Sequence, residues 1–519
     1  MMDRRPNFIV IHTDQHRGDC LGFLNQRKHL YTPNLDSIAD QGAYFSNCFA
    51  GCPVCIPQRL TLLTGQTAVR HGVMDNLGIP YMPLETTLPT EMHHSGYQTA
   101  LVGRTMHTYP YTHPYGFEYY KPGDLTNNVK DKDEFFNFIR DNAPIDNQDY
   151  YGGGACLNSN FGVPFHMEDR FHHTMWTTNR ALNFMDNRDS SRPFMLFVGY
   201  FGPHTPLNPP SEYFHRYYDN NDPDAPYIAD YDVKPVSNGC ATSNYINLEG
   251  ELLRTAQAAY YGSISFIDAQ IGRILDKLIY MPNTYVIFTS DHGELLGDHY
   301  SMQKSKPWQG SVHIPFLVYG PGIRGKQKFE QPVGWEDIMP TILELADTEI
   351  PDSVEGMSLA SLLKSGKEEF VRPYFHGECS HFNPDRYGGY EGQQKEGNLV
   401  YEAGSQYLTD GKMKYIWYET SGKEQLFDLT KDYGEIHDLS GLAEYQEELK
   451  KWRGLLIGEL KGRPEGFTDG DKLITGQKPL RLQPNAQKIS DERKAESYDI
   501  AYDYPTVLPL TRTYKNSLN

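Results

Sequence analysis

A thiol, a proline and an arginine lie within one short run of the chain, at Cys55, Pro57 and Arg59. Proline is tolerated in the first turn of a helix, so the spacing predicts that Cys55 lies at a helix N-terminus and that Gly65 ends the helix. The free N–H groups of such a terminus attract anions, and Arg59 lies one turn further along the same face. The run is a candidate catalytic centre for an anionic group. The alternative is a small buried cysteine beside a surface arginine.

Two apolar runs of the kind that form buried strands, 8–11 and 285–289, are followed by acidic, amide and imidazole side chains. Because the carboxyl ends of parallel strands meet at one edge of a sheet, we expect these side chains to converge. Carboxylate and amide oxygens suit a hard divalent cation such as Ca²⁺, and an imidazole ligand also suits Mn²⁺. Taken singly, each cluster is also typical of a helix cap or a turn. The candidate metal ligands are Asp14, Gln15, Asp291 and His292.

The composition is that of a globular protein with a large core. Of 519 residues, 39% are hydrophobic and 22% are charged, and this length allows two domains. The net charge of −19 argues against nucleic-acid binding and against adsorption to acidic membranes, since both favour a basic face. An anionic substrate is therefore expected to be one small charged group, captured by a locally positive site.

The chain has no run that approaches the roughly 18 apolar residues of a membrane span. The apolar run 7–11 is too short for the core of a signal peptide, so we expect a cytoplasmic protein. The seven cysteines are an odd number in a large chain and predict no disulfide framework. Cys52 and Cys55 form a Cys-x-x-Cys pair, but no second pair or histidine cluster completes a zinc site.

Strand-like and helix-like runs alternate over the first two thirds of the chain. Strands are predicted at 8–12, 97–102, 193–199 and 285–289, and helices from Pro33 onward and over 249–278. This alternation predicts an α/β fold, with a large, mainly parallel sheet sandwiched by helices, over a catalytic domain of residues 1–370. Function in such sheets gathers at the carboxyl ends of the strands.

After about residue 370 the pattern changes to that of antiparallel strands. Residues 406–409 and 413–418 flank a turn around Gly411, and 425–429 offer a third strand. We therefore predict a smaller C-terminal α+β domain with an antiparallel sheet at 371–470. Residues 471–519 are rich in proline, tyrosine and charge, and are predicted to form an extended tail that wraps the body or joins subunits of a homo-oligomer.

In their order along the chain, these motifs resemble those of the sulfatases of the alkaline phosphatase superfamily. The resemblance covers most of residues 7–440, and it implies an alkaline phosphatase-like fold and hydrolysis of a sulfate monoester. It is carried by Thr13-Asp14-Gln15, Cys55-x-Pro57-x-Arg59 with 62–65, 202–206, 290–294, Gly297-Asp298-His299, Lys304, Lys414-Tyr415-Ile416 and 426–429.

The resemblance implies a specific chemistry for Cys55. Family members oxidise this cysteine to formylglycine, which implies a formylglycine-generating or radical sulfatase-maturing enzyme as a partner. The hydrated aldehyde is implied to attack the sulfur, activated by one divalent metal ion, Ca²⁺ first and Mn²⁺ second, and supported by Arg59. The alcohol leaves, and the second hydroxyl of the diol then expels sulfate. The metal ligands implied are the four named above.

Other site residues follow from their positions in the family's motifs. Arg104 and His107 lie in a segment similar to the family's Gly-Lys-x-x-His, which implies that Arg104 clamps the sulfate oxygens and that His107 orients or deprotonates the diol. His204 and Lys304 are implied to bind sulfate and to stabilise or protonate the leaving oxygen. The candidates on the substrate side are Asn76 and His313.

Three functions stay open at this point. A sulfuric ester hydrolase is favoured, because Arg104 and His107 supply the cation and imidazole that sulfatases use. A phosphonate monoester or phosphodiester hydrolase is second, because Gln15 replaces the family's usual second aspartate, as in phosphonate monoester hydrolases. The third is an inactive protein that binds sulfated ligands, against which intact Cys55 and Arg59 argue. We expect a small sulfate ester as substrate, with a sulfated sugar ahead of aryl or choline sulfate.

Overall fold

The computed structural model describes residues 5–27, 29–76, 84, 86–106, 113–125, 133–145, 148–154, 157–219, 222–235, 244–366, 372–379 and 404–493. Within these ranges the strands are, in chain order, β1 (Asn7–Asp14), β2 (Ala43–Phe45), β3 (Cys48–Phe49), β4 (Gln98–Gly103), β5 (Tyr119–Pro122), β6 (Phe194–Pro203), β7 (Thr284–Ser290), β8 (Phe316–Tyr319), β9 (Gln327–Phe329), β10 (Val333–Gly334), β11 (Phe375–Cys379), β12 (Ser405–Thr409), β13 (Met413–Tyr418) and β14 (Glu424–Asp428).

The α-helices of the same ranges are α1 (Pro33–Gln41), α2 (Cys55–Thr64), α3 (Ala68–His71), α4 (Leu88–His94), α5 (Glu134–Asn142), α6 (His173–Asn187), α7 (Ser211–Tyr218), α8 (Gly250–Leu278), α9 (Gln309–Val312), α10 (Ile338–Leu345), α11 (Ala360–Ser365), α12 (Gln446–Glu459) and α13 (Pro484–Arg493). Short 3₁₀ helices lie at Gly22–Leu24, Asp169–Phe171, Asp298–Tyr300, Trp335–Asp337 and Ala443–Tyr445. No helix of the described ranges combines the length and apolar character needed to cross a membrane.

The large sheet has eight strands in the order β5-β4-β6-β1-β7-β8-β2-β9. The five strands from β5 to β7 are all parallel to their neighbours, whereas β8 runs antiparallel to both β7 and β2. The predicted mainly parallel sheet is therefore confirmed. Long apolar stretches such as that of β1 suit a sheet that is buried on both faces.

Alternate side chains of β1 enter two different cores. Phe8 and Val10 pack on one face with residues of α2, α4, α10 and α11, and Ile9 and Ile11 pack on the other with residues of α1, α6 and α8. This is the period of two expected for a strand that is covered by helices on both sides. Packing on both faces of the sheet holds β1 and β7 in place, and it therefore also positions the residues that directly follow these strands.

A second sheet, β11-β12-β13-β14, is antiparallel throughout. It confirms the predicted C-terminal antiparallel sheet, and its three later strands lie within one or two residues of the predicted ones. Strand β11 was not predicted, because Phe375–Cys379 contains a glycine and a buried glutamate instead of alternating apolar residues. Helix α12 packs on this sheet through Trp452 and Leu456.

The segment after 470 differs from the predicted extended tail. Its described part, up to residue 493, includes the helix α13 (Pro484–Arg493), and Leu482 forms an antiparallel bridge with Val73 of the large domain. The sequence from 484 to 493 is polar and gives a weak helical pattern, so its helix depends on packing against the body. The predicted boundaries at 370 and 470 stay predictions, and residues 494–519 lie outside the described ranges.

Candidate active site

Four adjacent strands deliver charged side chains to one edge of the large sheet. Asp14 ends β1, Asp291 follows β7, Arg104 follows β4 and His204 follows β6. Because β1 is parallel to both β6 and β7, the ends of these strands lie together at the carboxyl edge. All four side chains are buried. The convergence predicted for the strand ends is therefore present, and it brings opposite charges together.

The thiol reaches this edge from the first residue of α2. The helix begins at Cys55 after the extended residue Val54, has Pro57 in its first turn, and ends at Gly65, which has a φ of 64°. Proline and glycine thus take the positions that their backbone preferences favour. Cys55 is 3% exposed, so its side chain points into the protein and not into solvent.

Four side chains could hold a metal ion together: their ligand atoms all lie within 4.8 Å of one another, and they belong to Asp14, Cys55, Asp291 and His292. The Sγ atom of Cys55 is 3.2 Å from Nε2 of His292 and 4.0 Å from Oδ1 of Asp14. Nε2 of His292 is 3.6 Å from a carboxylate oxygen of each aspartate. Two carboxylates and an imidazole around one point fit a divalent cation.

Gln15, the fourth predicted ligand, adjoins this group. Its backbone N–H donates to Oδ1 of Asp291 at 3.1 Å, and its side-chain Oε1 accepts from Nζ of Lys304 at 2.7 Å. Its Nε2 donates to the buried carboxylate of Glu294. The amide is therefore oriented with its nitrogen toward an anion and its oxygen toward a cation, which is the orientation that a metal ligand requires.

Two buried arginines balance the two aspartates. Nη2 of Arg59 donates to Asp14 at 3.0 Å and to Asp291 at 2.9 Å, and its Nη1 donates to the carbonyl oxygen of Thr105 at 2.5 Å. Arg104 donates to the same oxygen of Asp14 from Nε at 3.1 Å and contacts it from Nη2 at 3.0 Å. Burial opposes ionisation of Asp14, but His204, Arg104 and Arg59 outweigh it and hold the pKa of this carboxyl well below its ordinary value.

The other side of Arg104 is held by Asp124, two residues after β5. Nη1 of Arg104 donates to the carbonyl oxygen of Asp124 at 2.8 Å, and the Asp124 carboxylate accepts from the backbone N–H of Thr105 at 2.9 Å. The ring of Phe201 lies 4.3 Å from the guanidinium carbon. Sequence reasoning missed Asp124, because strand β5, which precedes it, was not predicted either.

The thiol of Cys55 is tuned by its neighbours. Burial and Asp14 raise its pKa, whereas Lys304 and the contact with His292 lower it, and the net effect is a pKa below that of an ordinary cysteine. A structural cysteine buried among apolar side chains shows the opposite shift, as Cys52 does. The alternative of Cys55 as a small buried hydrophobe therefore does not fit its surroundings.

His204 and Lys304 lie beside the group. The backbone N–H of His204 donates to the carbonyl oxygen of Asp14 at 3.0 Å, and its Nδ1 lies 2.7 Å from the carbonyl oxygen of Thr205. Burial and Lys304 hold the pKa of His204 well below its ordinary value. Lys304 is half-buried and contacts Gln15. The structure thus brings both residues to the group predicted for them.

The remaining predicted residues have different positions. Oδ1 of Asn76 accepts from the backbone N–H of Ile56 at 2.9 Å, one residue from Cys55. The ring nitrogens of His313 contact the hydroxyl of Tyr433 at 3.0 Å and the carbonyl oxygen of Ser46 at 2.9 Å, so protein groups already engage both. His313 is not brought to the group, and its substrate-binding role stays a prediction. His107 lies outside the described residues.

Glu294 is a second functional residue to which sequence reasoning gave no role. It is 1% exposed, accepts from Gln15 through Oε2, and accepts from the backbone N–H groups of Leu296 at 2.8 Å and Gln303 at 2.5 Å through Oε1. Burial raises the pKa of Glu294. Its signal in the sequence was its place three residues after Asp291, within the motif that carries two metal ligands.

Comparison with known proteins identifies the family. The family described as "Sulfatase" matches residues 6–348, and the one described as "N-sulphoglucosamine sulphohydrolase, C-terminal" matches residues 297–457. The first match alone covers more than half of the chain. The chain therefore belongs to the sulfatase family, as its motifs predicted.

Individual relatives agree with this result. An arylsulfatase of Clostridium perfringens is 36% identical over 497 residues, which cover 91% of this chain and 98% of the relative. A choline-sulfatase of Rhizobium meliloti is 27% identical over 462 residues, covering 85% and 83%. The crystal structure of a phosphonate monoester hydrolase of Agrobacterium radiobacter shares the fold, with a TM-score of 0.72, 24% identity and coverage of 88% and 95%. The predicted class, a sulfuric ester hydrolase, is confirmed.

Proposed function

We propose that the protein hydrolyses small sulfate monoesters through an oxidised Cys55. The observation that carries the proposal is the placement of residue 55 within 4.8 Å of three cation-ligand side chains, beside two buried arginines. A nucleophile, a cation site and fixed positive charge then surround one point, where negative charge develops as the ester is cleaved.

The arginines have two tasks in this proposal. They keep Asp14 ionised, so that it is ready to hold a cation, and they make a buried site positive within a chain of net charge −19. Arg104 is held from two sides, by Asp14 and by Asp124, so its guanidinium has a fixed direction before substrate arrives. Such a preorganised cation stabilises sulfate oxygens without reorientation during the reaction.

Two added groups complete the proposed site. A divalent cation held by Asp14, Gln15, Asp291 and His292 would supply Lewis-acid chemistry and lower the pKa of a hydroxyl group. Formylglycine at position 55 would supply that hydroxyl, through the hydrate of its aldehyde, and its formation needs a dedicated maturing enzyme. Oxygen-rich ligands favour Ca²⁺, and the imidazole of His292 makes Mn²⁺ the second choice.

Lys304 is assigned the role of stabilising or protonating the leaving oxygen of the ester. Its ammonium group has three donors, of which one is on Oε1 of Gln15, and the described residues leave the other two for the substrate. His204 is held by two backbone contacts, which suit a positioning role. His107 keeps its predicted role toward the diol.

The proposed substrates are sulfated sugars and aryl sulfates. The 36% identical relative is named an arylsulfatase, and a relative of 29% identity from Formosa agariphila is named an ulvan-active sulfatase. These two names support two of the three substrate classes expected from the sequence, and the choline-sulfatase relative supports the third, choline sulfate. The homo-oligomer formed through the tail, the cytoplasmic location, and the absence of nucleic-acid and membrane partners stay predictions.

The proposal is tested with protein co-expressed with a maturing enzyme, stripped of metal with a chelator and reloaded with Ca²⁺ or Mn²⁺. We expect sulfate release from an aryl sulfate to exceed hydrolysis of a phenylphosphonate monoester by at least about 100-fold, and Ca²⁺ to restore more activity than Mn²⁺. Peptide mass spectrometry measures the formylglycine content at residue 55. Cys55→Ala should abolish turnover, and Cys52→Ala, three residues earlier, should keep it. Wild-type turnover by Cys55→Ala would refute the nucleophile.

A second function has one observation in its favour. Gln15 replaces the usual second aspartate, and its amide is fixed between Lys304 and Glu294, so the metal site carries one negative charge fewer. A phosphonate monoester or phosphodiester hydrolase would reverse the ranking of the two test substrates. Matured, metal-loaded protein that binds sulfated ligands without turnover would indicate the third function, an inactive binding protein.

A further inference from the structure

Helix α2 has a first turn without a cap of its own. The residue before it, Val54, has no side-chain acceptor, and a helix N-terminus leaves N–H groups that need partners. One of these, the N–H of Ile56, donates to Oδ1 of Asn76 at 2.9 Å. The acceptor thus comes from a loop twenty residues further along the chain. The direction of the first turn, and with it that of Cys55, depends on where this loop lies.

The loop 72–76 is fixed by the C-terminal part of the chain. Leu482 forms an antiparallel bridge with Val73, the N–H of Met74 donates to the carbonyl oxygen of Arg481 at 2.9 Å, and the N–H of Gln483 donates to that of Gly72 at 2.8 Å. The two segments that meet in this contact, 72–74 and 481–483, are far apart in the sequence. The C-terminal side of the contact, residues 481–483, lies beyond residue 457, where the second family match ends.

A buried carboxylate links the C-terminal residues to Asn76 itself. The side chain of Asp75 is 0% exposed, and its Oδ2 lies 3.4 Å from Nε of Arg481. Its Oδ1 accepts from the backbone N–H of Asn76 at 2.6 Å. Arg481 therefore holds Asp75, Asp75 holds the backbone of Asn76, and Asn76 caps the turn that carries Cys55.

The helix α13 covers the outer face of α2 at the same place. Ala486 and Ile489 pack with Ile56 and Leu60 in one apolar cluster, in which Ile56 and Leu60 are buried. Gly72 permits this close approach, since it has a φ of 87° and a Cβ atom there would lie 2.7 Å from Cβ of Ala486. The C-terminal residues thus contact both the cap of α2 and its side chains.

We propose that residues 481–489, here called the C-terminal clasp, position the catalytic thiol or its oxidised form by holding Asn76 on the first turn of α2. Asn76, Asp75 and Arg481 are then positioning residues, and the substrate-side role of Asn76 stays a prediction beside this one. The part of the proposal that concerns turnover rests on the proposed function. The part that concerns the thiol does not.

The thiol part is tested on folded, full-length protein expressed without a maturing enzyme, so that residue 55 is still cysteine. The protein is treated with iodoacetamide, and alkylation at Cys55 is followed by peptide mass spectrometry. Arg481→Ala should increase the alkylation rate of Cys55 about tenfold, because the loosened turn opens more often. Arg481→Lys, which keeps a charge beside Asp75, should restore the wild-type rate. Lys478→Ala is the matched control, since it removes an exposed positive charge from the same segment.

Turnover supplies the second measurement, on matured enzyme corrected for formylglycine content. Arg481→Ala and Asn76→Ala should each lower kcat about tenfold with KM changed less than about twofold, because they misplace the nucleophile and leave sulfate binding intact. The double variant should be no worse than either single one, because both break one chain of contacts.

Two results would overturn the proposal that the C-terminal clasp positions residue 55. One is an alkylation rate for Arg481→Ala equal to that of Lys478→Ala. The other is a double variant whose effects on kcat multiply. If matured wild-type protein cleaved no sulfate ester, the proposed function would fail, and the alkylation rates would still decide on the clasp.

Discussion

Two buried clusters of carboxylates and arginines, one at the edge of the large sheet and one in the C-terminal sheet, differ in how their charges balance. At the edge of the large sheet, Asp14 and Asp291 face Arg59 and Arg104, with all four side chains at most 2% exposed. These carboxylates and guanidinium groups are two of each; Asp124 adds a third carboxylate beside Arg104, and Lys304 adds a third cation that acts on Asp14. The pKa of Asp14 is accordingly held low by its positive neighbours, against the effect of burial.

In the C-terminal sheet, three glutamates share one arginine. Arg463 contacts Glu378 at 3.0 Å and Glu465 at 2.8 Å. Glu419 is 0% exposed; its Oε1 accepts from Nε2 of Gln406 at 2.7 Å, and its Oε2 has no hydrogen-bond partner among the described residues. Burial, with Glu378 adding to it, raises the pKa of Glu419 to about 8.

The contrast between the two clusters shows how a protein keeps a buried carboxylate ionised, so that it can bind a metal ion. A buried acid without a cation lowers its free energy by taking up a proton, as Glu419 does. Asp14 has two arginines instead, and it stays an anion that a divalent cation can bind. The balanced cluster is therefore a preformed ligand set, whereas the unbalanced one is structural. Each of the following changes removes one element of this contrast.

The largest effect is expected from Arg59→Lys. Lysine keeps the charge but cannot reach Asp14, Asp291 and the carbonyl oxygen of Thr105 together, so the fork geometry is lost. We expect kcat/KM for an aryl sulfate to fall about 100-fold in matured, metal-loaded enzyme. Arg463→Lys is the matched change in the other cluster and should alter kcat/KM by less than about threefold. Equal losses for the two variants would contradict the contrast.

A smaller effect is expected from Glu294→Gln, which acts on the metal site through Gln15. A glutamine side chain can present either an oxygen or an amide nitrogen to Gln15, so that only Lys304 still fixes which end of the Gln15 amide faces the metal site. Metal affinity should fall about 10- to 100-fold, the usual cost of losing a partner of a metal ligand. The measurement is a titration of metal-free enzyme with Ca²⁺, read by restored activity and by calorimetry. Glu419→Gln, the same change in the other cluster, should leave the affinity unchanged.

The sequence was sufficient for the elements whose chemistry lies on contiguous residues. The ends of β1 and β7 carry Asp14 and Asp291 directly after apolar runs, and the proline and glycine around α2 mark its two ends. In each case the signal and the structure that it specifies are within about ten residues of one another. Local backbone preference and burial periodicity are enough to find them.

The rest depends on contacts between distant residues. Asp124 is a partner of Arg104 only because β4 and β5 are neighbours, and Arg481 is a partner of Asp75 across about 400 residues. The sequence of α13 is too polar to predict a helix that packs on α2, and a buried Glu378 is explained only by Arg463. Such partners follow from the topology, which local patterns do not specify.

The smallest effect on catalysis is expected from Glu419→Gln, a change confined to the C-terminal cluster, which instead alters the pH dependence of stability. The folded chain holds a proton on Glu419 up to about pH 8, whereas a glutamate in the unfolded chain loses it near its ordinary pKa of 4.5. The stability that belongs to this group is therefore fully present below about pH 4.5 and is lost as the pH rises toward 8. Glutamine has no proton to lose, so between pH 5 and pH 8 the free energy of unfolding of the variant should rise relative to that of the wild type by about 3 to 4 kcal/mol.

The measurement is the free energy of unfolding in urea at several pH values, with Glu444→Gln, an exposed glutamate of the same domain, as the control. That control should follow the wild type at every pH. A difference between Glu419→Gln and the wild type that stayed constant from pH 5 to pH 8 would mean that Glu419 is ionised in the folded chain. The C-terminal cluster would then hold its carboxylates as anions without a second arginine, and charge balance would no longer distinguish it from the catalytic cluster.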